Sequence, residues 1–148
     1  MTAIGNDCEP MRWKCDRRGC FADRKLLKFD KLAPFFSGNI SPTDLDGATE
    51  INGYLLIVEW KESPMPLSAG QRIAFENMTR GDTVLVIVVA GNAETMTDIT
   101  HLAYVVRGEF KPWRPATFDD LERACRRWER MVRTRPLAYS NEWFEVTA

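Results

Sequence analysis

Residues 44–61 read DLDGATEINGYLLIVEWK, and this stretch decides the fold expected for the chain. Asn52-Gly53 separates two apolar-rich runs. Both central residues of a type I′ turn need a positive φ angle, which asparagine and glycine tolerate. The stretch therefore predicts a β-hairpin with strands over about 43–51 and 54–61.

The hairpin register brings charged side chains together at its open end. Side chains alternate across a strand, so Glu59 and Lys61 point to one face while Trp60 points to the other. A two-residue turn pairs position 51 with position 54, and Asp46 then falls opposite Glu59. The residues preceding Glu59 on its face are apolar, and charges that continue a buried apolar face are costly unless they are paired or bound to metal. The pattern favours a functional site at the open end of the hairpin. The alternative is an exposed hairpin end whose charged residues pair across the two strands.

Two carboxylates and a lysine in this arrangement have a chemical use. Mg²⁺ prefers oxygen ligands and keeps several waters, so one or two carboxylates suffice to hold it against a phosphate, where it polarises a phosphoryl oxygen and supplies hydroxide. The ammonium group of a lysine stabilises developing negative charge. The residues Asp46, Glu59 and Lys61, with 13 positions from Asp46 to Glu59, resemble the signature of the PD-(D/E)XK nuclease superfamily: Asp, a short hairpin, then Glu/Asp-x-Lys.

That resemblance implies a function and a set of roles. Asp46 and Glu59 would bind Mg²⁺ or Mn²⁺, and Lys61 would be the catalytic lysine. Pro42 lies four residues before Asp46, which leaves open whether Asp44 or Asp46 is the primary metal ligand. The longer string, with Gly70-Gln71 after it, resembles small phage and prophage proteins of the superfamily.

The expected activity is hydrolysis of phosphodiester bonds by a metal-dependent endonuclease, with DNA favoured over RNA. The alternative is a non-catalytic protein on the same scaffold that binds nucleic acid or inhibits a protein partner. A homodimer would suit duplex cleavage. The sequence leaves open the form of the substrate, any sequence specificity, the oligomeric state and whether the site is active.

Gln71 has two predicted roles. The resemblance implies that a glutamine from this helix reaches the active site, where it orients water or phosphate. The pattern Ser68-x-x-Gln71 is also a capping box at the start of a helix over about 68–79, in which the glutamine side chain would return to a backbone N–H. Ile73, Ala74, Phe75 and Met78 are the expected buried side chains of that helix.

The remaining elements predict an α/β sandwich. A continuous β-branched run over 83–90 indicates a central strand, parallel to 54–61 because a helix connects them. A strand over 101–107, a turn at Gly108 leading to a hairpin over 109–113, and a helix from the Thr117 cap to about Arg133 follow. With a short helix over 23–36, this order predicts a three-layer-type sandwich with a mixed sheet flanked by helices, and the resemblance implies a restriction-endonuclease-like core. The expected division is an irregular arm over 1–22, a nuclease-type domain over 23–135 and a tail over 136–148.

The last helix carries an arginine face opposite an apolar stripe. The stripe comprises Leu121, Ala124, Cys125, Trp128 and Val132. The candidate nucleic-acid-binding residues are Arg123, Arg126, Arg127 and Arg130, because guanidinium groups grip phosphates without reading sequence. A solvated face with Arg126 paired to Glu122 or Glu129 is the alternative.

Composition bounds the remaining possibilities. The chain has 148 residues and a formal net charge of −1, which counts mildly against a non-specific nucleic-acid binder. It holds no apolar run of about 18 residues and no signal-peptide pattern, so no membrane association and a cytoplasmic location are expected. Cys8, Cys15 and Cys20 lack the tight spacing of structural zinc sites, and whether they bind zinc is left open. His101, the only histidine, is expected to bond locally.

Overall fold

The chain divides into two units, Met1–Thr43 and Asp44–Ala148. The structure, a computed structural model, describes residues 31–38, 40 and 42–138. The predicted arm over 1–22, most of the helix predicted over 23–36 and the tail beyond Ala138 lie outside these residues. In the described part of the first unit, Ala33–Phe35 form a 3-10 helix with Pro34 in its first turn.

The second unit contains a six-stranded mixed sheet and two helices. Its elements in chain order are β1 (Gly47–Ile51), β2 (Tyr54–Lys61), α1 (Ala69–Met78), β3 (Val84–Gly91), β4 (Ile99–Val106), β5 (Glu109–Phe110), β6 (Arg114–Pro115) and α2 (Phe118–Arg133). The strands follow the order β1-β2-β3-β4-β5, and β6 also pairs with β4. Only β2 and β3 are parallel, and every other pairing is antiparallel.

The first hairpin has the predicted turn and register. Asn52 and Gly53 have φ angles of 54° and 82°, and Ile51 pairs with Tyr54. A Cβ atom on Gly53 would lie 3.3 Å from the backbone nitrogen of Ala138, whose N–H donates to the Asn52 carbonyl. The turn thus needs glycine both for its backbone angle and for the chain segment packed against it.

The two faces of the sheet bury separate clusters, each under one helix. Phe75 of α1, with Leu67 from the segment before it, packs against one face through Ile57, Val86, Val88, Ala103 and Val105. Three α2 side chains, Leu121, Trp128 and Val132, pack with the other face through Tyr54, Leu56, Ile87, Val89 and Leu102. The unit is therefore an α/β sandwich of three layers, helix, mixed sheet and helix, as predicted from the sequence. The predicted apolar stripe of α2 is confirmed.

Three details differ from the expectation. β1 begins at Gly47 rather than near residue 43. On α1, Ile73 is 59% exposed and Met78 is 37% exposed, so the predicted buried stripe is wrong at both positions. The helix faces the sheet along Gln71, Phe75 and Thr79, and Ile73 lies about 200° around the helix from Phe75. The hairpin predicted over 109–113 is shorter, because β5 has two residues, and the Arg114–Pro115 strand was not foreseen.

Among the described residues, no helix is long and apolar enough to cross a membrane.

We expect Phe75→Ala to lower the free energy of unfolding by about 3–5 kcal/mol, because the fully buried ring leaves a cavity between α1 and the sheet. Ile73→Ala, on the same helix but exposed, should change it by less than about 0.5 kcal/mol. Urea unfolding followed by circular dichroism measures both. Equal losses in the two variants would contradict this placement of α1.

Candidate active site

Glu59 is a buried carboxylate near the carboxyl end of β2. Glu59 is 5% exposed, and together with Thr79 it makes up the buried polar residues in the described part of the chain. Glu59 follows Ile57 by two positions and pairs with Val88 of β3, so it shares the face covered by α1. The alternation that buries Ile57 therefore also forces this carboxylate beneath the helix.

The two oxygens of this carboxylate have different surroundings. Oε1 accepts hydrogen bonds from the ammonium group of Lys61 at 3.2 Å and from the side-chain amide of Gln71 at 2.5 Å. Oε2 is buried and accepts no hydrogen bond from the described residues. Buried polar atoms are nearly always partnered, and an unpartnered one points to a catalytic role, a water or an ion. The hydrogen-bond donors of the described residues thus leave Oε2 of Glu59 without a partner.

Gln71 reaches this carboxylate because another contact caps its helix. The Ser68 hydroxyl accepts a hydrogen bond from the Gln71 backbone N–H at 3.3 Å, and Ser68 is the N-cap of α1. The Gln71 side chain donates to Glu59 instead of closing the capping box. Of the two roles predicted for Gln71, its side chain takes the one at the site, while its backbone takes part in the cap.

Asp46 lies immediately before β1 and binds the backbone beside Glu59. Its Oδ2 accepts a hydrogen bond from the Trp60 N–H at 2.7 Å. The last pair of the hairpin ladder is Gly47 with Val58, and continuing that register by one residue sets Asp46 opposite Glu59. The carboxylate thus extends the ladder by accepting an N–H that a strand carbonyl would otherwise accept. Asp44 is exposed in the segment preceding β1.

The indole of Trp60 fixes the end of β2 from the other side. Its Nε1–H donates to the carbonyl of Gly91 at 2.9 Å, at the end of β3. A Cβ atom on Gly91 would lie 2.3 Å from the Asp98 carbonyl oxygen, so only glycine fits there. This contact on the residue between Glu59 and Lys61 was not predicted; the alternation placed Trp60 on the opposite face but named no partner for it.

The Lys61 side chain is more accessible than the carboxylate that it contacts. It is 23% exposed, against 7% for the Glu59 side chain. Lys61 pairs with Ala90 of β3, whose small side chain crowds it little. The ammonium group can therefore hold Glu59 and still meet an anion arriving from solvent.

The structure does not bring the four candidate nucleic-acid-binding arginines of α2 to Glu59 and Lys61. Their helix covers the opposite face of the sheet. Arg123 pairs with Asp120, and Arg126 forms the pair with Glu122, at 2.8 Å, that the alternative predicted for it. Arg127 and Arg130 form no ion pair with any described residue. Sequence periodicity separated the arginines from the apolar stripe but did not show which sheet face the helix would cover.

Neither Cys125 nor His101 joins the site. Cys8, Cys15 and Cys20 lie outside the described residues. Cys125 is half-buried on α2, where burial raises the pKa of its thiol. The ring nitrogen Nδ1 of His101 lies 3.0 Å from the Thr100 hydroxyl, the local bond expected for it. Within residues 31–38, 40 and 42–138, no three or more histidine, cysteine, aspartate or glutamate side chains group so as to hold a metal ion.

Comparisons of the chain with models of protein families, with curated proteins and with solved structures found no match. The resemblance to PD-(D/E)XK nucleases therefore stays a prediction from the motif residues.

Removing the Gln71 side chain should expose the cost of burying Glu59. We expect Gln71→Ala to lower the free energy of unfolding by about 1–3 kcal/mol, because a buried carboxylate loses one of its two hydrogen bonds. Arg72→Ala removes an exposed pair with Glu76 and should cost less than about 1 kcal/mol. Denaturant titrations compare the variants, and an unchanged Gln71→Ala protein would mean that the amide does not stabilise Glu59.

Proposed function

We propose that the chain is a metal-dependent nuclease of the PD-(D/E)XK type that hydrolyses phosphodiester bonds, with DNA as the favoured substrate. The observation that carries the proposal is Glu59: one oxygen is held by Lys61 and Gln71, and the other is buried without a partner among the described residues. A mixed sheet with a helix on each face supports the finer proposal of a restriction-endonuclease-like core, although fold alone does not establish function.

The carboxylates of Glu59 and Asp46 suit the binding of a hard divalent cation better than they suit a purely structural role. Burying an unpartnered carboxylate oxygen is costly, and a cation offsets that cost. Mg²⁺ is held in many phosphate-processing sites by one or two carboxylates with water completing its shell, so the lack of a third acidic ligand among the described residues does not oppose the proposal. Glu59 would hold Mg²⁺ or Mn²⁺ through Oε2, and Asp46 would contribute the oxygen that Trp60 does not bind. Bound there, the cation would polarise the phosphate and lower the pKa of a coordinated water.

The chain's own residues supply orientation and charge. Lys61 is fixed by Glu59 at 3.2 Å, so its ammonium group is held in place for the negative charge that develops on the phosphoryl oxygens. Gln71 fixes the same carboxylate from the helix, which keeps Glu59 aimed toward the end of β2. In the reaction, water adds to phosphorus, one P–O ester bond breaks, and the departing sugar oxygen receives a proton derived from that water.

A second candidate function has an observation of its own. The arginines of α2 lie on the face away from Glu59, and a protein that only binds nucleic acid or a protein partner would use them without the acidic site. The cleavage experiment below separates the two functions.

We expect wild type to cut labelled DNA with Mg²⁺ or Mn²⁺ and to be inactive in EDTA. Duplex, single-stranded and branched substrates should be tested in parallel. Glu59→Gln and Lys61→Ala should each lower the cleavage rate by at least about 100-fold, since each removes a preorganised charge. Glu62→Gln and Arg72→Ala, exposed neighbours of the same two charge types, should cut at close to the wild-type rate.

Metal-dependent melting provides the control for folding. A site that binds only the native state raises stability by RT ln(1 + [L]/Kd), about 2.7 kcal/mol at 100 times Kd. The melting temperature of wild type should rise with Mn²⁺, and that of Glu59→Gln should not. A folded wild type that neither cuts any substrate nor gains stability with metal would overturn the nuclease proposal and favour the binding protein.

A further inference from the structure

A groove of about 1000 Å³ lies on the sheet face opposite Glu59, beside α2. Among the described residues, it is lined by α2, by the end of β4 and by the turn that follows β4. Its apolar floor includes the half-buried side chains of Leu85, Tyr104 and Val106, and the buried Trp128 of α2 also lines it. This volume reaches the upper end of the range for ligand-binding clefts, roughly 300–1,000 Å³.

The rim of the groove is strongly basic. Seven basic side chains, six of them arginines, line it together with three carboxylates. Each carboxylate is already paired: Asp82 with Arg135, Glu109 with Lys111, and Asp120 with Arg123. The guanidinium groups of Arg107, Arg127 and Arg130 have no acidic partner within the described part of the chain. In a chain of net charge −1, this local excess gives the groove charge complementarity to a polyanion.

The floor and the rim together favour one class of polyanion. Burial of the ring, reinforced by the nearby Asp120 carboxylate, raises the pKa of Tyr104, so its hydroxyl stays neutral and its ring remains a stacking surface at pH 7. Arginines grip phosphates bidentately, and aromatic or apolar floors receive bases that are free of a duplex. An acidic protein helix would complement the positive charge of the rim, but it would make no specific contact with an aromatic floor that lies between arginine side chains.

We propose that this groove is an accessory binding site for single-stranded nucleic acid, distinct from the cleavage site. The choice of ligand class rests on the proposed nuclease function. Leu85 at the floor pairs with Leu56, and Lys61 lies five residues further along β2 on the other face. That separation is about 16 Å along the strand alone. A strand held in the groove is therefore not at Lys61, and the groove adds affinity for long substrates without contributing to the cut.

Binding in EDTA isolates the groove from catalysis. The probe is a fluorescein-labelled single-stranded 12-mer of thymidine followed by fluorescence anisotropy over a series of salt concentrations. We expect the double variant Arg127→Ala with Arg130→Ala to weaken binding at least tenfold and to reduce the salt slope by about 1.4, near 0.7 per lost phosphate contact. Arg133→Ala is the matched control, because Arg133 is on the same helix, outside the groove, and paired with Glu129.

A second pair of variants tests the contribution of Tyr104 in the floor of the groove. Tyr104→Leu should weaken binding about tenfold with the salt slope unchanged, within the range for a lost stacking contact, and Tyr104→Phe should bind as wild type does. A duplex of the same sequence should bind more weakly than the single strand. Tight binding of labelled polyglutamate to the groove, lost in the double arginine variant, would overturn the proposal in favour of an acidic protein partner.

The remaining outcomes separate this proposal from the nuclease. If Arg133→Ala weakens binding as much as the double variant, or if wild type binds no single strand, the groove proposal fails whatever the cleavage assay shows. If single strands bind in the groove and no metal supports cutting, the nuclease fails and the groove stands. If both activities hold, the double variant should lose cleavage rate on long substrates at low concentration and keep the wild-type rate on short ones at saturation.

Discussion

The register of the first hairpin is the constraint on which the candidate site depends. The positive φ angles at Asn52 and Gly53 fix a two-residue turn, and the turn fixes which residue faces which for the length of β1 and β2. Because side chains alternate with a period of two, a slip of one residue would move Glu59 and Lys61 to the face now covered by α2. Gln71 would then lie on the wrong side of the sheet to reach them. The packing of Ala138 against Gly53 further restricts the turn.

Holding Glu59 under α1 carries a free-energy cost that its neighbours only partly offset. The Lys61 ammonium and the Gln71 amide both bind the same oxygen, so the second oxygen is desolvated without compensation among the described residues. A purely structural role would be filled more cheaply by an apolar residue of similar size, because replacing a buried ion pair with packed apolar side chains is often neutral or stabilising. The arrangement is the kind of local conflict expected where function, rather than stability, selects the residue.

Much of the fold followed from local signals in the sequence. The Asn-Gly turn, the β-branched run of β3 and the caps at Ser68 and Thr117 each involve neighbouring residues, and those elements form near where they were expected. Ile73 was misplaced because apolar character alone does not show which side of a short helix meets the sheet. The two-residue strand at Arg114–Pro115 was missed because its pairing with β4 depends on chain geometry that composition does not encode. The sequence left open whether the Gln71 side chain would reach Glu59 or close the capping box. The contact with Glu59, twelve residues away, depends on the path of the helix that connects β2 to β3.

Charge is distributed over this unit by face as well as by amount. Glu59 lies on the α1 face, which it shares with Ile57 and Val88, while the arginines of α2 and of the β4–β5 turn surround the groove on the other face. The net charge of −1 hides this separation, because it averages over two surfaces that a ligand would meet independently. Keeping the arginines away from Glu59 has a physical benefit: guanidinium groups beside the unpartnered oxygen would neutralise it and compete with a cation for it. The sheet therefore separates the unpartnered oxygen of Glu59 from the arginines that surround the groove.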